Sequence, residues 1–200
     1  MRILFVLKQL GYIRHFDRVI TQLVDHGHHV TIGSQDGVRE IPQSIAGHSG
    51  VSVVSCPKKR GDEWREYASL LRRASDYLRY LEPKYAKASK LRARAFSKLV
   101  HTLSQGTREP NEGWSEAATS FSRLELRRLR EFFRLIEDQL PSDPDIRLFI
   151  SDQDPDVILI SPLVDIGSGQ TEFVTAARAL EIPVAMVLFS WDNLSTKGTI

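Results

Sequence analysis

A single cysteine, Cys56, in 200 residues excludes an internal disulfide and any cysteine-based zinc site, which fits a reducing compartment. Long apolar runs are missing too. Nothing approaches the roughly 18 residues of a spanning helix. The opening MRILFVLKQ has only the five apolar residues Ile3 to Leu7 before Lys8, short of the about seven that a secretory leader needs. The expectation is a cytoplasmic protein. Two phosphate-binding signatures are absent as well: no G-x-G-x-x-G follows the first strand, and no G-x-x-x-x-G-K-[ST] occurs. His26, His28 and His29 lack carboxylate or cysteine companions at ligand spacing, so no metal site is expected.

What is present is an ordinary globular composition, 42% hydrophobic and 26% charged, with enough length to bury a core. The net charge of +2 conceals an asymmetry. Pro57 to Arg134 holds nineteen Lys or Arg against ten Asp or Glu, so the positive charge sits in the middle of the chain.

The two ends share a rhythm that the middle lacks. RILFVL (Arg2 to Leu7) reads as a buried strand, and Phe16, Val19, Ile20, Leu23 and Val24 mark one face of a helix over Arg14 to His26. Gly27 supplies the helix stop, HHVTIGS a second strand and GVSVVSC a third. Towards the C-terminus, DVILIS (Asp156 to Ser161), a helix over Gln170 to Leu180 and the strand PVAMVLF repeat the alternation. The pattern predicts an α/β fold, a Rossmann-like doubly wound parallel sheet of about five strands, incomplete where the sequence stops. From about 58 to 140 the apolar spacing is helical throughout and is broken at Pro83 and GTREPNEG, which predicts a helical insertion of some three helices within one domain, 1–200.

Ligands of open α/β sheets bind beyond the carboxyl ends of the strands. Three stretches fall there. In KQLGYIRHF, His15 is a candidate general base, or a polar neighbour of a helix cap. Tyr12 lines a binding pocket or packs in the loop, and Arg14 offers a bidentate contact to phosphate or carboxylate, or a solvated charge. In DIGSGQTE, Gly167 and Gly169 permit close backbone approach. Ser168 is a hydrogen-bonding candidate there and Asp165 a second carboxylate, the alternative being a plain turn. In SWDNLSTKG, Asp192 is the leading carboxylate beside Trp191, whose flat face suits a sugar ring. Asn193 and Lys197 add hydrogen-bonding groups, and the alternative is an Asx-turn with the Trp in the core.

KQLGYIRHF with LVDHGHHVTIGS resembles the opening of GT-B-type glycosyltransferases, where a Gly-rich first loop precedes a helix, a GH-x-V turn and a second strand. SWDNLSTKG and GY-x-R-x-F resemble a bacterial GT-B-like group linked to surface-carbohydrate biosynthesis. The resemblance covers roughly Met1 to Ser55 and Pro155 to Gly198. Many members carry a Gly-His pair in the first loop. It aligns with Gly11 and Tyr12, so this sequence has Tyr in place of that His.

The resemblance implies an N-terminal, acceptor-side domain, with a C-terminal donor domain beyond Ile200. It implies sugar transfer from a nucleotide-sugar co-substrate to a glycan or lipid-linked acceptor, with no metal or other cofactor, and a base near His15, Asp165 or Asp192. The domain alone is expected to be inactive and, with an uncovered sheet edge, prone to dimerise. The basic insertion suggests peripheral contact with the inner face of a membrane, and no nucleic-acid module accompanies it. A nucleotide-sugar 2-epimerase or a polyol-phosphate transferase would share this architecture, and a non-catalytic docking module is the alternative from another class.

Overall fold

A computed structural model describes residues 1–37, 41, 43–104 and 121–190. The chain forms two compact units. One comprises Met1–Asp62, Ser142–Leu163 and the described part of Gly169–Asn193; the other comprises the described part of Glu63–Pro141 with Val164–Ser168.

The first unit is a five-stranded, wholly parallel, Rossmann-like sheet. Its strands are β1 (Arg2–Leu7), β2 (His29–Ser34), β3 (Val51–Ser55), β4 (Val157–Ser161) and β5 (Val184–Met186), in the order β3-β2-β1-β4-β5. Parallel strands need crossovers, and the crossover helices cover both faces, which is why β1 is apolar at nearly every position. Strand alternation sorts its side chains. Leu4 and Val6, with Ile158 and Ile160 of β4, face helices over Pro144–Gln153 and Thr171–Ala179; Ile146, Ile150, Phe173, Ala176 and Ala177 complete that core. Ile3, Phe5 and Leu7, with Val30 and Ile32, face the opposite layer, which is built from α1 (Asp17–Asp25), α2 (Gln43–Ala46) and a 3-10 helix over Leu10–His15. Gly27 ends α1 in the left-handed region at φ +78°, a conformation that costs glycine nothing.

Three boundaries differ from the sequence expectation. The helix read as Arg14 to His26 is two elements, the 3-10 helix Leu10–His15 and then α1 from Asp17, because Leu10, Ile13 and Phe16 recur every three residues and drive a 3-10 turn onto the sheet. The strand PVAMVLF is paired over Val184–Met186, with a last hydrogen bond from Val187 N to the Ile160 carbonyl at 2.9 Å; Val187 and Phe189 pack on the β1 face that α1 covers. A helix absent from the expectation runs over Pro144–Gln153. Asp143 caps it through Ile146 N at 2.8 Å and Pro144 occupies the first turn.

The second unit contains no strand among its described residues. Its helices are α3 (Arg65–Tyr80), a 3-10 turn over Pro83–Tyr85, α4 (Ser89–Ser104) and α5 (Arg123–Asp138); the helices already described over Pro144–Gln153 and Thr171–Ala179 are α6 and α7. Tyr77, Tyr80, Ala95, Leu99 and Ile166 form its core. Ser122 opens α5 with a capping box to Glu125. The cap hydrogen bonds hold the Glu125 carboxyl below its ordinary range. The arginine-rich middle is not a uniform solvated face. Arg72 pairs with Glu137, Arg130 with Glu82, and Arg73 runs inward to the Lys98 carbonyl at 3.2 Å and to Thr102, its acidity raised by burial.

Candidate functional site

Strand order makes the site before any side chain does. The chain steps outward from β1 through β2 to β3, then restarts at β4 on the other side of β1 and steps to β5. The reversal between β1 and β4 leaves their two following loops diverging, and that crevice is where such sheets bind ligands. Lys8 N donates to the Ser161 carbonyl at 3.2 Å, so the two carboxyl ends are stitched together at the crevice floor.

The loop after β1 is rigidly placed. Leu10 N donates to Asp36 Oδ1 at 2.9 Å, and Ser34 Oγ donates to the same oxygen at 2.6 Å, so the loop after β2 holds the start of the 3-10 helix. Leu10 and Ile13 are buried beneath that helix, and the residues between them are left outermost. Gly11, Arg14 and His15 are exposed and Tyr12 is half-buried. His15 is therefore the last residue of the 3-10 helix and not the first-turn residue of a longer α-helix.

An aromatic group assembles here. The imidazole of His15 stacks on Phe189, with centroids 4.7 Å apart and planes at 6°. Tyr12 lies 4.9 Å from the same ring, and Phe16 meets it edge-on at 6.1 Å. Arg14 Nε donates to His15 Nε2 at 3.3 Å, so in this arrangement Nε2 carries the lone pair. The sequence reading chose His15, Tyr12 and Arg14 but not Phe189, which it placed inside a strand. Its signal was available: an aromatic immediately before the polar SWDN, at the end of an apolar run.

The loop after β4 divides. Gln170 bridges its base, donating to the Ser161 carbonyl at 3.0 Å and accepting from Leu163 N at 2.9 Å. Ser161 itself is fully buried, and its hydroxyl has no hydrogen-bond partner among the described residues. Such orphans are rare in folded chains, so a hydroxyl of this kind at a sheet switch point is a candidate that periodicity had no means to single out. A side chain on Gly169 would meet the Lys58 carbonyl at 3.1 Å, so the close approach there is to this chain's own backbone.

Asp165, Gly167 and Ser168 belong to the helical unit. Gly167 sits at φ +66°, and its N–H donates to the buried Asp76 carboxylate at 2.7 Å. A Cβ there would lie 2.6 Å from Arg73 Cγ. Its backbone freedom and its donor both serve packing within that unit. Asp165 and Ser168 are half-buried, and each has an interaction partner of its own. Asp192, Trp191, Asn193 and Lys197 lie outside the described residues.

Sequence reasoning also passed over an ionic group in the segment that follows β3. Arg60, 2% exposed, donates to both oxygens of Asp62 at 2.7 Å and reaches Glu172 Oε2 at 3.4 Å. Burial opposes the guanidinium charge, but the hydrogen bonds of Asp62 and the charges of Glu172, Asp62 and Asp143 outweigh it and raise its pKa. Gly61 N donates to Asp143 Oδ2 at 2.8 Å, so the segment after β3 is fastened to the start of α6. In the sequence, KKRGDE reads as one more charge run.

Among the described residues no three His, Cys, Asp or Glu side chains converge as a metal-holding group, and no helix is long and apolar enough to cross a membrane. No protein-family model and no curated protein matches the sequence. Among solved structures, the chain is similar to the glycosyltransferase VinC in complex with dTDP, at 17% identity and a TM-score of 0.40, over 96% of this chain and 36% of that one. This chain thus spans little more than a third of that structure's length, and at such a likeness no substrate or residue role passes from one to the other.

Proposed function

We propose that this chain is the acceptor-side half of a GT-B-like glycosyltransferase that moves a sugar from a nucleotide-sugar to a glycan or lipid-linked acceptor. One observation carries the reading: Tyr12, His15 and Phe189 form an aromatic and imidazole group on loops that leave the carboxyl ends of a parallel sheet with its switch point between β1 and β4. Flat ring faces suit the C–H face of a sugar, and an imidazole beside them suits an acceptor hydroxyl.

In the proposed reaction the acceptor hydroxyl gives its proton to His15 Nε2, its oxygen bonds the anomeric carbon, and the bond from that carbon to the diphosphate breaks. His15 must first release Arg14, whose guanidinium occupies that lone pair. The freed guanidinium then has a carboxylate or phosphate of the acceptor to bind. Asp192 and Asp165 remain alternative bases under this reading, Trp191, Asn193 and Lys197 further acceptor contacts, and a donor domain of the same polypeptide supplies the nucleotide-sugar.

The test is nucleoside diphosphate release by the native protein from its source cells, over a panel of nucleotide-sugars with oligosaccharide acceptors. A general base contributes roughly 10²–10⁴-fold, so His15→Gln should lower turnover by at least about a hundredfold with folding intact. Full turnover in that variant removes the base role. Native protein that turns over no nucleotide-sugar removes the transferase.

A further inference from the structure

Arg123, Arg127 and Arg130 recur at i, i+4 and i+7 along α5, a spacing that brings them to one side of the helix. There, within the helical unit, they line a cavity of about 480 Å³ together with Leu124, Lys84 and Glu82. That volume lies within the range of small-ligand sites. Among the described lining residues, four cations thus face one carboxylate.

The single carboxylate is already satisfied. Glu82 accepts from Lys84 Nζ at 3.0 Å and from Arg130 on its other oxygen. Arg127 stands 3.8 Å from Glu131 in an exposed i,i+4 pair, a contact of small worth. Arg123 has no ion pair with any described residue. Two guanidinium groups therefore add their charge to a concave surface with little compensation from the described residues, and a concavity lined mainly by one sign of charge concentrates counter-ions. Arg123 and Leu124 are also the first residues of α5, the positive end of its dipole, in part offset by Glu125.

We propose that this cavity is a phosphate site, taking a diphosphate or a phosphate-bearing headgroup against Arg123 and Arg127 while Lys84 and Arg130 hold Glu82 aside. Guanidinium forks match phosphate oxygens in pairs, and Leu124 provides an apolar wall for the substituent. The site does not rest on the transfer reaction proposed above and is read by binding alone.

The probes are inorganic pyrophosphate by calorimetry, and sedimentation with phosphatidylcholine vesicles with and without phosphatidylglycerol. Arg123→Ala/Arg127→Ala should weaken binding of the better probe by at least about tenfold, since charge-assisted contacts are lost, while circular dichroism stays native. The charge-matched control, Arg128→Ala/Arg134→Ala, removes two exposed arginines that do not line the cavity and should change affinity by less than about twofold. Preference for pyrophosphate identifies a soluble ligand, and preference for the anionic vesicles identifies a headgroup; either supports the site. Binding of neither probe, equal binding to neutral vesicles, or equal losses in the two double variants would overturn it.

Discussion

His15 and Phe189 stack nearly parallel, 4.7 Å between ring centres, although 174 positions separate them. The loop after β1 and the loop after β5 are thus one surface, and Phe189 fixes the plane in which the imidazole presents its Nε2. Removing the ring should cost about 2 kcal/mol of stability, below the range for a fully buried Phe because Phe189 is half-buried. Under the proposed function, Phe189→Ala in the native protein should also lower kcat more than it raises KM, since it misplaces the base. A variant with wild-type kcat and a reduced denaturation midpoint would assign Phe189 to packing only.

Arg60 is predicted to be a stability residue. Replacing it with Ala strips the guanidinium from Asp62 and Glu172 and should cost about 3–5 kcal/mol in urea unfolding. Asp143→Ala, which removes acceptors for Ile146 N and Gly61 N, should cost about 1–2 kcal/mol. Because Asp143 also acts electrostatically on Arg60, the double variant should be non-additive by at least about 0.5 kcal/mol. Strict additivity would show that the two contacts act separately.

Burial, followed by the charge of Asp36, pushes the Cys56 thiol up from 9.0 to about 12. The raised value means that the unfolded chain loses its thiol proton first as pH rises. The stability contribution is complete below 9 and is lost progressively between 9 and about 12. At pH 8 the native thiol should resist iodoacetamide for hours and react within minutes in denaturant. Rapid native alkylation would contradict the burial.

Gly167→Ala should destabilise the helical unit by about 1–2 kcal/mol, through the left-handed backbone and the displacement of Arg73. Gly11→Ala should be nearly silent in stability, since a Cβ there meets nothing within 4 Å. If Gly11→Ala weakens acceptor binding without touching stability, the first loop is a contact surface.

The sequence made the sheet legible wherever side-chain alternation and burial agree. Ile3 to Leu7 and Val157 to Ile160 are apolar because both faces are covered, and their short length with turn residues beyond them marks strands. Phe189 had a signal in its place before the polar SWDN, yet it was read into the strand, because an apolar run does not reveal where its ladder ends; β5 pairs with β4 as a strand only as far as Met186. The 3-10 helix was hidden because Leu10, Ile13 and Phe16 fit a period of three as easily as the start of an α-helix. Helix α6 had its Asp-Pro signal in plain view, yet its apolar stripe is short beside the long helices before it. Arg60 was invisible for a different reason: charge in a sequence carries no depth.

The pairing of β1 with β4 also sets a problem in time. Asp156, the residue before β4, accepts a hydrogen bond from Arg2 N across 154 positions, so the centre of the sheet is its least local contact. β1, β2 and β3 lie close in sequence, whereas β4 must return after the whole helical stretch. Loop closure grows slowly with length, but its entropy falls due before the contacts that repay it. Helices with local contacts form quickly, and once α3 to α5 are folded they shorten the free chain that β4 has to bring home. A helical stretch that forms early would thereby act on the assembly rate of a sheet to which its described residues contribute no strand.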